Sequence, residues 1–271
     1  MTRPELPIGV FDSGVGGLTV LHECLISLPA EDFLYLGDSG HFPYGTKSAE
    51  ELRERSAQVA GELLGRGVKM LVIACNSATA AAGDEIRELG AEAGVPVVTV
   101  VGPEAEIAAS ISGSGKVGVL ATPATVESGA YRRALDSLGR PLTVTEVAAP
   151  DLAPIIQQGP TFDEEVLDTV RGYCQPLREA GIDTLILGCT HYPLVAPMLQ
   201  RMLGRDVSLV TAGHAIAAAI QRELAASGGL AEGRIEGDYR FLVTGDVDSF
   251  VEVGTRFLQL PLAGRAEGIE I

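Results

Sequence analysis

Two stretches decide how this chain folds: Met70-Leu71-Val72-Ile73-Ala74-Cys75-Asn76-Ser77-Ala78-Thr79 and Thr184-Leu185-Ile186-Leu187-Gly188-Cys189-Thr190-His191-Tyr192-Pro193. Each is a short apolar run that ends in a cysteine followed by hydroxyl or amide side chains. Each reads as a buried strand feeding a helix. Asn76 or Ser77 is able to cap the first helix, and Pro193 suits the first turn of the second. A second pair matches in the same order: Ile8-Gly9-Val10-Phe11-Asp12-Ser13 with Val117-Gly118-Val119-Leu120-Ala121-Thr122. Ile8 and Val117 are 109 positions apart, and Cys75 and Cys189 are 114 apart. Like order at nearly like separation points to one duplicated unit.

Apolar runs alternate with helix-like stretches along the rest of the chain, the pattern of a parallel α/β sheet. Further strands are expected at Phe33–Leu36, Val97–Val101 and Thr143–Val147. Leu18, Leu21, Leu25 and Leu28 recur at helical spacing after the first strand. Cys24 lies beside that stripe, and Cys174 lies in the helical stretch Glu164–Glu179; both read as packing residues. The expected architecture is two similar α/β domains with mostly parallel sheets, related by pseudo-twofold symmetry, with the site in the cleft between them. Residues 1–99 plus 212–271 would form the first domain and 100–211 the second.

Composition narrows the function. The 271 residues are 46% hydrophobic and 21% charged, enough for a sizeable core. The net charge of −16 repels a phosphate backbone and argues against nucleic acid as a direct ligand. Any anionic substrate must then be held by local backbone, hydroxyl and amide donors. The segment Met1–Leu6 is polar and lacks a signal sequence, and no apolar run approaches the ~20 residues of a membrane span. A cytoplasmic protein without membrane association is expected. The four cysteines form no C-x-x-C pair, so free thiols are expected and no metal site.

In open α/β sheets the ligand crevice lies at the carboxyl ends of the strands, where Cys75 and Cys189 stand. A thiol at a helix N-terminus meets partial positive charge, which favours thiolate. A single buried cysteine at a strand end is more often a packing residue. A pair facing each other across one cleft can do more: one thiolate removes a proton from one face of a carbon while the other thiol delivers a proton to the opposite face. Asp12, at the end of the first strand, and His191, two residues after Cys189, are candidates to move protons to their neighbouring thiols.

Other chemistries fit less well. The loop Asp12-Ser13-Gly14-Val15-Gly16-Gly17 fails as a dinucleotide fingerprint because Thr19 takes the third glycine position, and Gly45-Thr46-Lys47-Ser48 lacks the P-loop spacing. The glycine loop is expected to let backbone N–H groups approach an anion at a helix start. Pyridoxal chemistry needs a Schiff-base lysine. Of the three lysines, Lys69 and Lys116 precede strands at the far end of the sheet, leaving Lys47.

These residues resemble the glutamate racemases of the aspartate/glutamate racemase superfamily. The likeness is carried by Ile8–Val20, Tyr35-Leu36-Gly37-Asp38 with Pro43-Tyr44-Gly45, Ala74–Thr79, Gly118–Thr122 and Gly188–Pro193. It implies interconversion of L- and D-glutamate without a cofactor, for peptidoglycan synthesis. Cys75 would take the α-proton from D-glutamate and Cys189 from L-glutamate. Asp12, Ser13, Pro43, Tyr44, Gly45, Asn76, Ser77, Thr122, Thr190 and His191 would bind the substrate. The resemblance also implies a homodimer and, in some members, contact with DNA gyrase. Three features depart from the family: Ser77 where threonine is usual, Gln157-Gln158 where many members carry glutamate, and Val210-Thr211-Ala212-Gly213 in place of an Asp-Ser pattern. The alternatives are a racemase of aspartate or another small acid, and a non-catalytic protein that binds a small anion or gyrase.

Overall fold

The computed structural model describes residues 3–159 and 164–271, so the first two residues of the polar segment 1–6 lie outside it. Its described strands form two sheets. The first contains β1 (Ile8–Asp12), β2 (Phe33–Gly37), β3 (Met70–Ile73) and β4 (Val97–Thr99). The second contains β5 (Lys116–Ala121), β6 (Thr143–Ala148), β7 (Thr184–Gly188) and β8 (Ser208–Val210). Two late strands, β9 (Tyr239–Val243) and β10 (Ala266–Gly268), return to the first sheet.

The sheet orders are β10-β9-β2-β1-β3-β4 and β6-β5-β7-β8, and every recorded pairing is parallel. The order 2-1-3-4 of the first sheet thus recurs as 6-5-7-8 in the second, which matches the repeat read from the sequence. In each sheet the cysteine follows the third strand of its unit and adjoins the end of the first: Phe11 pairs with Ile73, and Ala121 with Gly188. These neighbouring ends are where strand order reverses, the usual position of a crevice.

Helices cover the sheets. They are α1 (Leu18–Ser27), α2 (Ala49–Gly65), α3 (Asn76–Ala93), α4 (Val101–Ile111), α5 (Pro123–Ser128) and α6 (Ala130–Ser137). The later ones are α7 (Leu152–Gln158), α8 (Glu164–Ala180), α9 (Ala196–Leu203), α10 (Ala212–Ser227) and α11 (Val247–Leu258). Parallel strands covered on both faces are apolar throughout, as β3 and β7 are, and all residues of both are buried. Helices α2 and α3 pack one face of the first sheet through Leu52, Val59, Leu63, Ala82 and Ile86. Leu18, Leu21 and Cys24 of α1 and Ile216 and Ile220 of α10 lie in a larger core that runs on into the second sheet. Cys174 is buried in that same core. Each such fully buried Leu or Ile contributes about 1.5–3 kcal/mol.

Local signals set several boundaries. Ser48 and Glu51 close a reciprocal capping box at the start of α2, and Gly94, in the left-handed conformation, ends α3. The expected strand Val97–Val101 is shorter, because Val101 already opens α4. The sequence reading missed β8, β9 and β10; β8 and β10 have three residues each, too few for a period to register. No helix among the described residues is long and apolar enough to cross a membrane.

Candidate active site

Cys75 and Cys189 line one small cavity of about 20 Å³, one from each sheet. Ser13, Phe42, Asn76, Ser77, Thr122, Ala153, Thr190 and His191 complete its wall. Both thiols are buried and neither is in a disulfide. A cavity of this size has room for about one water molecule. Of the expected site residues, Asp12, Pro43, Tyr44 and Gly45 do not line this cavity.

The two cysteines are held differently. Cys75 itself is the cap of α3: its Sγ accepts a hydrogen bond from the Ala78 N–H at 3.4 Å. The capping role expected of Asn76 or Ser77 is thus taken by the sulfur, freeing both neighbours for other partners. The Ser77 hydroxyl lies 2.9 Å from that of Thr122, which in turn lies 3.0 Å from that of Thr125. This hydroxyl cluster joins the two units across the cleft. After Cys189 the chain makes a single 3-10 turn, Tyr192–Val195, before α9 begins at Ala196, so the expected helix start is a tight turn instead. Pro197 explains the break: within a helix continuing from His191, its ring would strike the carbonyl four residues back.

Burial, not the helix dipole, sets the thiol electrostatics. It pushes the Cys75 thiol up to about 12, with the nearby Asp12 charge adding to the effect, against partial relief from the Ala78, Ser13 and Ser77 N–H groups. Cys189 is pushed up as well, first by burial and further by the Asp12, Cys75 and Glu104 charges. The expected lowering is therefore reversed, because removing a thiolate from water costs more than the neighbouring backbone N–H groups return.

Asp12 is fully buried, and burial raises its carboxyl against opposing hydrogen bonds from the Gly17, Gly14 and Ser13 backbone and the Thr190 side chain. The Gly14 N–H donates to its Oδ2 at 3.1 Å, and the Thr190 hydroxyl to its Oδ1 at 3.2 Å. The anion served by the glycine loop is therefore the chain's own Asp12. Gly16 is needed for close approach: a Cβ there would lie 2.3 Å from Thr190 Oγ1 and 2.4 Å from His191 Nδ1.

His191 Nδ1 lies 4.0 Å from Cys189 Sγ, and its Nε2 lies 2.9 Å from Gln157 Oε1. Its ring packs against Phe42 and Phe257, with centroids 5.4 and 5.2 Å away. Burial holds the imidazole down to about 3, hence neutral. Tyr44 donates to Asp38 at 2.6 Å, and Arg55 grips the same carboxylate through two nitrogens. Gly45 packs on Thr122, its Cα hydrogen pointing where a Cβ would come within 2.7 Å of that side chain.

Glu104, Tyr131, Phe42 and Ala153 were absent from the sequence reading. Glu104 carried a usable signal: Val101, Glu104, Ala105 and Ala108 share one face of α4, so an acid stands in an apolar stripe. Among the described residues, no lysine lines the cavity and no cluster of three His, Cys, Asp or Glu has metal-binding proximity.

Residues 12–230 match the Asp/Glu/Hydantoin racemase family model. The chain is 41% identical over 265 residues to the glutamate racemase of Mycobacterium leprae strain TN, covering 97% of this chain and 96% of that one. The glutamate racemase RacE1 of Bacillus anthracis superposes with a TM-score of 0.94 at 35% identity, over 99% of both chains. The Francisella tularensis SCHU S4 glutamate racemase, solved with D-glutamate, gives 0.92 at 32%, over 99% of this chain and 98% of that one. The chain belongs to the Asp/Glu/Hydantoin racemase family and is an amino-acid racemase, an isomerase.

Proposed function

We propose that the chain interconverts L- and D-glutamate by a two-thiol mechanism without a cofactor, supplying D-glutamate for peptidoglycan. The observation that carries this reading is the pair of cysteines lining one cavity from two different sheets. Full-length likeness to glutamate racemases favours glutamate over aspartate or another small acid.

In the proposed cycle one thiolate takes the proton from Cα, forming S–H, and the electron pair left on Cα is delocalised into the substrate carboxylate. The other thiol then gives its proton to the opposite face and becomes thiolate. Cys75 serves as base toward D-glutamate and Cys189 toward L-glutamate. Because burial raises both thiols, each thiolate needs a local proton acceptor. Asp12 serves Cys75. Neutral His191 serves Cys189, taking the proton on Nδ1 and keeping Gln157 on Nε2. The Ser77 and Thr122 hydroxyls and backbone N–H groups hold the substrate carboxylates, and the Asn76 side-chain oxygen accepts from the ammonium.

Glutamate is far larger than one water, so the two units separate to admit it and close to exclude solvent. We take these units to be residues 1–99 plus 212–271 and residues 100–211, working in the cytoplasm as a homodimer. The test is purified protein with L-glutamate in D2O, read by chirality and α-deuterium content. D-glutamate carrying α-deuterium is expected. Absence of both D-glutamate and exchange overturns the reading, and faster turnover of aspartate transfers it to that substrate.

A further inference from the structure

Asn76 lies beside Cys75 in the cavity wall, and both hydrogens of its amide are already committed. Nδ2 donates to Glu104 Oε2 at 3.1 Å and to the Tyr131 hydroxyl at 2.7 Å. Tyr131 in turn donates to the same Glu104 Oε2 at 2.5 Å. Neither Glu104 nor Tyr131 lines the cavity. The remaining polar atom, Asn76 Oδ1, is buried without a partner.

We propose that Glu104 is a positioning residue for the racemisation: by accepting from Nδ2 it fixes the amide of Asn76 so that Oδ1 is the atom presented to the substrate ammonium. The proposal rests on the glutamate reading above. The opposite orientation sets the amide oxygen against Glu104 Oε2, which already accepts from the Tyr131 hydroxyl, and presents an NH2 group to the ammonium. Two contacts are then lost instead of made.

The surroundings fit a device for orientation rather than for stability. Glu104 is fully buried on the apolar face of α4, and burial pushes its carboxyl up to about 8. Its other oxygen, Oε1, has no partner. A hydrocarbon side chain of similar size would cost less there. The network also spans the cleft, since Asn76 opens α3 beside the first sheet and Tyr131 lies in α6. Tyr131 packs behind Cys189, its ring 3.0 Å from where a Cβ on Gly188 would stand. One buried carboxyl group therefore ties the Cys75 side of the site to the Cys189 side.

The experiment is steady-state racemisation of glutamate in both directions by Glu104→Leu, Asn76→Asp and the double variant Asn76→Asp/Glu104→Gln. An ammonium contact made equally in ground and transition states appears in KM. Glu104→Leu is expected to raise KM about tenfold in both directions while kcat changes less than threefold. Asn76→Asp, which removes both amide donors to Glu104 and Tyr131, is expected to raise KM at least as much. Adding Glu104→Gln restores a donor–acceptor pair and brings KM back to within threefold of the unaltered chain. This rescue decides the matter even if Glu104→Leu does not fold. Failure of the double variant to recover, or an unchanged KM in folded Glu104→Leu, overturns the positioning role and leaves the glutamate reading standing. An unaltered chain that neither racemises nor exchanges glutamate overturns both.

Discussion

His191 Nε2 lies 2.9 Å from Gln157 Oε1, so the imidazole beside Cys189 is steadied by a neutral amide. A carboxylate in that place would hold a proton on the ring. The amide does not, and burial keeps His191 neutral, down to about 3. Neutral imidazole is the form that accepts a proton from a thiol.

Gln157→Glu is therefore expected to raise the His191 pKa by about 1–3 units, the usual effect of a nearby opposite charge. The acid limb of the kcat profile should move to higher pH in the direction that uses Cys189 as base, with a smaller change in reverse. Rate against pH from each enantiomer checks this. Superimposable profiles for the two chains would rule out contact between residue 157 and the proton path.

Cys75→Ser and Cys189→Ser should each lower racemisation by roughly 10²- to 10⁴-fold, the usual contribution of a positioned acid or base. The more telling readout is exchange. Cys75→Ser keeps a base on one face, so it should still wash deuterium into one enantiomer faster than it forms the other. Equal loss of exchange from both enantiomers would contradict separate faces for the two thiols.

Gly16→Ala puts a methyl group where Thr190 Oγ1 and His191 Nδ1 already stand, 2.3 and 2.4 Å away. The loop or the Cys189 turn has to move. A stability loss of about 1–3 kcal/mol is expected from overpacking, and an activity loss of about 10²-fold from a misplaced proton partner. Urea unfolding and kcat measure the two. Unchanged kcat would mean that His191 tolerates displacement.

Stability should also carry the mark of Glu104. Its carboxyl rises from 4.5 to about 8 on folding, so the folded chain holds the proton more tightly than the unfolded chain. The stabilisation is full below pH 4.5 and is lost as pH rises through 8, by at most about 1.4 kcal/mol per pH unit. Glu104→Gln removes this component. The difference in urea midpoint between pH 5 and pH 8 is expected to be smaller in the variant, and an equal difference in both chains would remove the burial argument.

Much of this protein is legible locally. The runs ending in Cys75 and Cys189 are apolar enough to be buried strands, and their shared order with Ile8–Asp12 and Val117–Ala121 is a pattern in one dimension. The second sheet repeats the strand order of the first, as duplication requires. The three-residue strands β8 and β10 carry too little pattern to be read that way, whereas the equally short β4 is legible because its apolar run continues through Val100 and Val101.

The sequence by itself determined the strand–cysteine units, their duplication and the parallel α/β architecture, because periodicity and apolar runs are properties of neighbouring residues. Only the tertiary structure decided the chemistry around the thiols. Asn76 meets Tyr131 across 55 positions, His191 meets Gln157 across 34, and Thr190 meets Asp12 across 178. No local pattern encodes such meetings; Asn76–Tyr131 and Thr190–Asp12 exist because two sheets dock, and His191–Gln157 because α7 packs against the turn that follows β7. The direction of the thiol shifts was decided in the same way, since neighbouring backbone N–H groups favour thiolate while the depth of burial, fixed by docking, opposes it more strongly.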